Sequence, residues 1–197
     1  TWSPDLKVAN NRFGSCRARG LLVSTPGKVV IENNIFESSG SAILICGDAN
    51  YWYESGAVTD VLIQNNTFTD LCNTSSYQFC EGIISVYPEI PEMNAKSGQF
   101  HRNITITGNT FHPFDYPVLF AKSVDGITFT HNKLIKSNRF EPYHNRKYTF
   151  TFEGCKNIGI ENNIFEGEIL GKNVLLKHTP ALELKYSTDQ NLTVKVD

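Results

Sequence analysis

Val29-Val30-Ile31-Glu32-Asn33-Asn34-Ile35-Phe36 reads as apolar-x-apolar-x-Asn-Asn-x-Phe, and the pattern returns along the whole chain. It stands at Leu6-x-Val8-x-Asn10-Asn11-x-Phe13, at Val61-x-Ile63-x-Asn65-Asn66-x-Phe68 and at Ile104-x-Ile106-x-Gly108-Asn109-x-Phe111. Two further copies are Ile127-x-Phe129-x-His131-Asn132-x-Leu134 and Ile158-x-Ile160-x-Asn162-Asn163-x-Phe165. A half-copy, Leu192-x-Val194, puts Asp197 where the next Asn would fall. Successive steps between the second Asn positions are 23, 32, 43, 23 and 31 residues, then 34 to Asp197. The shortest step recurs, so it is the unit, and the longer ones are that unit with loops added.

A second alternating run follows each copy: Leu21-Val23, Ile43-Ile45, Ile83-Ser85-Val86, Val118-Phe120, Thr149-Phe150-Phe152 and Leu182-Leu184. Short period-2 runs rich in Val, Ile and Phe are strands, and no amphipathic helix of useful length competes. A helix-free unit of about 20–25 residues predicts an all-β parallel β-helix, a solenoid of about six coils spanning residues 1–197. Coils stack about 4.8 Å apart, so equivalent residues form ladders along the axis. Asn11, Asn34, Asn66, Asn109, Asn132 and Asn163 would line one corner, their amides serving turn backbone groups that are otherwise buried unpaired. Phe13, Phe36, Phe68, Phe111, Leu134 and Phe165 would stack inside. Both sets are architectural.

Composition narrows the function. A net charge of −2 with no basic block argues against nucleic-acid binding driven by phosphate neutralisation. The longest apolar run, Ala42 to Cys46, is far too short to cross a bilayer, so no membrane partner is expected. Cys16, Cys46, Cys72, Cys80 and Cys155 include no CxxC pair suited to zinc, and an odd number leaves at least one unpaired. Cys72 and Cys80 flank a short polar stretch and are the pair considered for a bridge, while Cys46 and Cys155 read as small buried hydrophobes. His101, His112, His131, His144 and His178 share no ligand spacing. Neither metal nor cofactor is expected. Sequons at Asn65, Asn73, Asn103 and Asn191 arise by chance in a chain so rich in Asn.

Solenoids carry function in their inserted loops. Alignment of the second strands places Asp48, Glu89, Lys122 and Glu153 along one edge, one coil apart each. Glu81 stands at the entry to its strand, and Trp52, Tyr53 and Glu54 hang over the edge from an inserted loop. Carboxylates for hydroxyls and aromatic faces for C–H surfaces suit a carbohydrate. Glycoside hydrolysis needs one protonated acid and one carboxylate as base or nucleophile, and stacked coils offer both the close and the wide separation. For Arg17 and Arg19, substrate contact and plain surface charge are equal readings.

The stretch Ser39-Gly40-Ser41-Ala42-Ile43-Leu44-Ile45-Cys46-Gly47-Asp48-Ala49-Asn50-Tyr51-Trp52-Tyr53-Glu54-Ser55-Gly56 resembles the α-1,3-galactosidases of glycoside hydrolase family 110. Tyr87-Pro88-Glu89-Ile90-Pro91, Phe100-His101-Arg102-Asn103 and Gly108-Asn109-Thr110-Phe111-His112-Pro113-Phe114-Asp115 strengthen it. The resemblance runs from about Asn10 to Phe165. It implies a right-handed, single-stranded parallel β-helix that removes terminal α-1,3-linked galactose with inversion and without metal, in the periplasm or secreted. Family members are much longer chains, so a segment of a longer β-helix is expected.

Stacking makes Asp48 and Glu81 the first pair for acid and base, with Glu54 or Glu89 in reserve. Trp52 and Tyr53 would stack on the sugar, Lys122 and Arg102 would bind hydroxyls, and Glu153 lies on the same edge. A homodimer through the β-helix is a further expectation. Two rival readings stand beside this one. A polysaccharide lyase or polygalacturonase-like enzyme is disfavoured for the lyase case, which needs a base, usually Ca²⁺, and a more positive groove. A non-catalytic glycan-binding or structural module would hold its carboxylates too far apart for catalysis.

Overall fold

A computed structural model describes residues 3–53, 55–93, 97–167 and 172–197. The chain winds through three parallel sheets, of seven, six and seven strands among the described residues. Each coil contributes one strand to each sheet. In the fourth coil these are His101–Thr107, Thr110–Phe111 and Leu119–Lys122. The sheets pair only between neighbouring coils, which makes six full coils and part of a seventh. This is the parallel β-helix that the repeat predicts.

The Asn-Asn pair in the motif divides two tasks at the corner between the first and second sheets. Its first residue lies in the left-handed region: φ is 61° at Asn10, 55° at Asn33, 54° at Asn65, 65° at Gly108, 54° at His131 and 54° at Asn162. Only Gly, Asn and a few polar residues take that conformation readily, which explains why the position reads Asn, Gly or His. The second residue makes the ladder. Asn34 donates its backbone N–H (2.9 Å) and its side-chain amide (3.0 Å) to Asn66 Oδ1. Asn66 does the same to Asn109 at 2.9 and 3.0 Å, and Asn109 to Asn132 at 2.9 and 3.0 Å. The spare amide hydrogen reaches back one coil, from Asn66 to Ile31 O and from Asn109 to Ile63 O, both 2.9 Å.

Inside, Phe13, Phe36, Phe68 and Phe111 stack with centroids 4.8, 5.2 and 4.5 Å apart and planes within 12°. Leu134 continues the column by pairing with Phe111 in the second sheet. The inward residues of the first sheet, Val29, Ile31, Val61, Ile63, Ile104, Ile106, Ile127 and Ile158, are essentially without solvent contact. Stacking brings like on like, so apolar residues meet apolar residues at the same position of successive coils.

The seventh coil departs from the sequence reading. Gln190, not Asp197, takes the next corner place: its Oε1 accepts the Asn163 N–H at 3.0 Å and its amide donates to Asn163 O at 3.1 Å. The segment Thr193–Val196, expected as a first-sheet half-copy, pairs with Asn173–Lys177 in the third sheet. Leu184, expected in a second run, begins the first-sheet strand Leu184–Tyr186, and Leu182 sits in a 3-10 turn over Ala181–Glu183. Both sheets use the same period-2 alternation, so periodicity alone cannot tell them apart. Cys72 and Cys80 do not bridge: the first thiol donates to Phe36 O at 3.1 Å and the second to Ala18 O at 3.2 Å. Burial pushes the Cys72 thiol up to about 12, which keeps it protonated.

Asn66→Ala removes a buried amide that accepts two N–H groups and donates to two coils. Because those partners stay buried, the expected loss in denaturant unfolding is about 2–4 kcal/mol. A loss below about 0.5 kcal/mol would show that the ladder does not hold the coils.

Candidate active site

The third sheet carries the groove. Its strands Ser41–Asp48 and Ile84–Glu89 pair in register, with Cys46 opposite Tyr87 and Asp48 opposite Glu89. Leu119–Lys122 and Phe150–Glu153 follow, with Lys122 opposite Glu153. Ile43, Ile45, Ile84, Val86, Leu119 and Ala121 fill the core, so alternation turns Leu44, Cys46, Asp48, Ser85, Tyr87, Glu89, Phe120 and Lys122 outward. Outward residues of a sheet normally meet water, yet Leu44, Ser85 and Phe120 are buried. Inserted loops cover them. Residues 70–80 fold back over the first two coils, with Asn73 donating to Ser38 O at 3.2 Å and Ser75 to Ser39 O at 2.8 Å.

Between the covering loops lies a groove of about 600 Å³ lined by Arg19, Leu44, Cys46, Asp48, Tyr51, Trp52, Phe79, Tyr87 and Glu89. Tyr87 forms the middle of its floor, with Phe79 at 5.1 Å on one side and Phe120 at 5.6 Å on the other. Lys122 Nζ lies 5.4 Å from the Tyr87 ring centroid. Desolvation raises the Tyr87 hydroxyl pKa, and the negative charges of Glu81, Glu89 and Glu153 raise it further against the opposing Arg146. Tyr87 therefore stays a hydroxyl, able to donate and accept.

Asp48 builds the aromatic wall. Its Oδ1 accepts the backbone N–H of Asn50 (2.9 Å) and Tyr51 (2.7 Å), and its Oδ2 accepts that of Trp52 (2.6 Å). Partial desolvation would raise its pKa, but the N–H groups of residues 50–53 outweigh that and hold it below the ordinary 3.8. The loop thus presents Tyr51 and Trp52, each 69% exposed and edge-to-face at 5.0 Å, beside the acids. Asn50 stands between the two carboxylates, with its N–H on Asp48 and its side-chain amide on Glu89 Oε1 at 3.2 Å. His101 anchors the far end of the loop: its Nδ1 accepts the Val58 N–H at 3.1 Å. Gly47 permits this closure, since a Cβ there would fall 2.4 Å from the Phe100 ring.

The expected site residues do not all meet. Asp48, Glu89 and Trp52 share the groove, and Lys122 touches its floor through Tyr87. Tyr53 is exposed on the same loop but is absent from the lining, and Glu54 lies outside the described residues. Glu153 reaches the groove by its field on Tyr87. Glu81, expected as the partner of Asp48, lines a different cavity and is held by Arg146, whose Nε donates to Oε2 at 3.1 Å. Arg102, expected beside the sugar, lies in the first sheet, past the corner from the groove lining. Phe79 and Tyr87 join the lining without having been chosen from sequence, and so does Arg19, for which substrate contact and surface charge were equal readings; the outward alternation of the second strands was the available signal for Tyr87.

The fold and the groove together define a parallel β-helix whose outer face carries paired carboxylates beside exposed aromatic rings. Over 195 residues, 99% of its length, the chain is 57% identical to α-1,3-galactosidase B of Bacteroides thetaiotaomicron. It is 44% identical over 176 residues to α-1,3-galactosidase B of Parabacteroides distasonis, and 40% identical over 186 residues to α-1,3-galactosidase A of Bacteroides fragilis. It spans about a third of the length of these curated relatives, 32%, 29% and 30% respectively. No protein-family profile matches it.

The anchor at His101 makes an acid-sensitive fold. Burial lowers the imidazole pKa from 6.5 to about 4, so the folded protein keeps it neutral where the unfolded chain protonates. Its contribution is whole above pH 6.5, falls as the pH drops toward 4, and is lost below that. At about 1.4 kcal/mol per unit, the decline should reach about 3 kcal/mol. Denaturant unfolding between pH 7.5 and 4 should show this slope, and His101→Gln should flatten it. An equal slope in both proteins would remove His101 as its source.

Proposed function

We propose that the chain is part of a glycoside hydrolase that removes terminal α-1,3-linked galactose from glycans, with inversion, and that the third-sheet groove binds the galactose. The observation that carries this reading is the Asp48–Asn50–Glu89 arrangement beside Trp52. The groove has the size and mixed apolar and polar lining of a small-ligand site. The exposed faces of Trp52 and Tyr51 suit the C–H surface of a pyranose, and Tyr87, Lys122 and Arg19 offer hydrogen bonds to its hydroxyls. Similarity to proteins named α-1,3-galactosidase, at up to 57% identity among those described, supports the same choice of sugar and linkage.

Hydrolysis then divides as follows. Asp48, held ionised by backbone N–H groups, draws a proton from the attacking water. Glu89, opposite Asp48 on the next coil, is the acid that protonates the leaving glycosidic oxygen. Inversion requires a separation of about 6.5–9.5 Å between acid and base, which leaves room for the attacking water. Inversion of an α-galactoside releases β-galactose first. A periplasmic or secreted setting follows from the extracellular glycans such an enzyme would meet, and no helix among the described residues is long and apolar enough to cross a membrane.

In the parent-length polypeptide, Asp48→Asn and Glu89→Gln should each lower kcat on a terminal α-1,3-galactoside by about 10²-fold or more. Trp52→Ala should chiefly raise KM. Activity within about tenfold of wild type in both carboxylate variants would overturn the assignment. Proton NMR of the first product should show β-galactose; α-galactose would overturn inversion.

A further inference from the structure

A second cavity of about 500 Å³ opens on the same outer face, across the segment 76–81 from the acid groove, and Gln78 lines both. Its lining includes Ser76, Tyr77, Glu81, Tyr143, His144 and Arg146. The two cavities are electrostatic neighbours, because Tyr87 on the groove floor feels Glu89 from one and Glu81 from the other.

The wall is built by one carboxylate. Asp115, 6% exposed, accepts the backbone N–H of Tyr143 and of His144, both at 2.8 Å, and its Oδ2 lies 2.6 Å from His144 Nδ1. Desolvation opposes its charge, but these donors and the Tyr116 N–H outweigh it and keep Asp115 ionised. An ionised carboxylate only accepts, so the imidazole proton sits on Nδ1. In the neutral ring Nε2 is then an acceptor, and it is buried without a partner. The Tyr143 ring stacks on that imidazole at 4.1 Å and stays 46% exposed. The loop so fixed sets Arg146 over Phe120 at 4.9 Å and against Glu81.

The charge pattern selects the ligand. Arg146 and Glu81 are each about a third exposed, and a solvated ion pair of that kind adds little to stability. Arg146 Nε and Nη2 both donate to Glu81 Oε2, which leaves Arg146 Nη1 as a donor and Glu81 Oε1 as an acceptor side by side, a match for adjacent hydroxyls of a sugar. An anion would meet Glu81, and a cation would meet Arg146. A neutral polyol uses both. Tyr143 supplies a face for its ring.

We infer that this second cavity is a saccharide subsite that takes the neutral sugar next to the terminal galactose, clasped by Arg146 and Glu81 with Tyr143 against its ring. The identity of that neighbouring sugar rests on the galactosidase reading; the binding chemistry rests on the cavity alone.

The test compares galactose with the disaccharide α-galactosyl-1,3-galactose by calorimetric and NMR titration of this chain. Wild type should bind the disaccharide about tenfold more tightly than galactose. Ser76→Trp, which fills the cavity and leaves the Asp115 contacts in place, should shrink that gain to within about twofold, and so should Arg146→Ala. Thermal midpoints of both variants report whether the fold survives, and the two changes remove different contacts, the Tyr143–Ser76 hydrogen bond and the Arg146–Glu81 pair. A gain that persists in both variants, or no gain in wild type, overturns the subsite. Hydrolysis of an aryl α-galactoside by the parent-length polypeptide reads the galactosidase proposal separately. If that fails while the disaccharide gain remains and responds to the variants, the cavity stands as a glycan site and only the reaction is wrong.

Discussion

Asn34, Asn66, Asn109 and Asn132 each sit buried at a turn, accept two N–H groups from the coil before and return an amide hydrogen to a strand carbonyl. A solenoid corner turns the backbone in the interior, where an unpaired polar group costs about 1–3 kcal/mol. Side-chain amides are the economical answer, because one group both donates and accepts. The repeat distance between coils matches the reach of one amide to the next. The αL residue before each Asn aims the side chain down the axis, and the stacked Phe column then falls into place two residues beyond. Every other ladder inherits its register from this corner.

A register that holds the three sheets still frees the connecting segments to vary. Coils two and three use that freedom between their third-sheet strand and the first sheet of the next coil, and coils three and five use it between the second and third sheets. Their insertions cover the outward residues Leu44, Ser85 and Phe120 and turn a solvated sheet face into two lined cavities. Two carboxylates do the local shaping. Asp48 gathers the N–H groups of the aromatic loop, and Asp115 gathers those of the loop bearing Arg146. Asp48, which reads from sequence as a candidate for chemistry, is thus also the post on which a loop is hung, and Asp115, not among those candidates, does the same for its own loop.

How far the sequence could be read follows from these two layers. The six coils, the corner amides and the Phe column were legible because each is a periodic consequence of stacking. Asp48 and Glu89 were legible as neighbours because both close a strand of the same sheet at the same level. Glu81 was not legible as the occupant of a separate cavity, since its place depends on Arg146, 65 residues away on another insertion. Arg102, expected to bind hydroxyls, stands instead in the first-sheet strand His101–Thr107. The end of the chain misled for a different reason: Leu-x-Val suits a strand of the first sheet as well as one of the third, and a Gln can reach the corner that an Asn fills elsewhere.

By itself, then, the sequence determined the solenoid, its period, the residues of its core and the edge on which acids and aromatic rings collect. These follow from alternation and from the need to satisfy buried backbone groups once per turn. The tertiary structure alone decided which carboxylates share a cavity and which charges are tied up in holding loops. Those outcomes depend on contacts between insertions that are 29 to 69 residues apart, as in His144 with Asp115 and Arg139 with Asp70, and no local period records such a meeting.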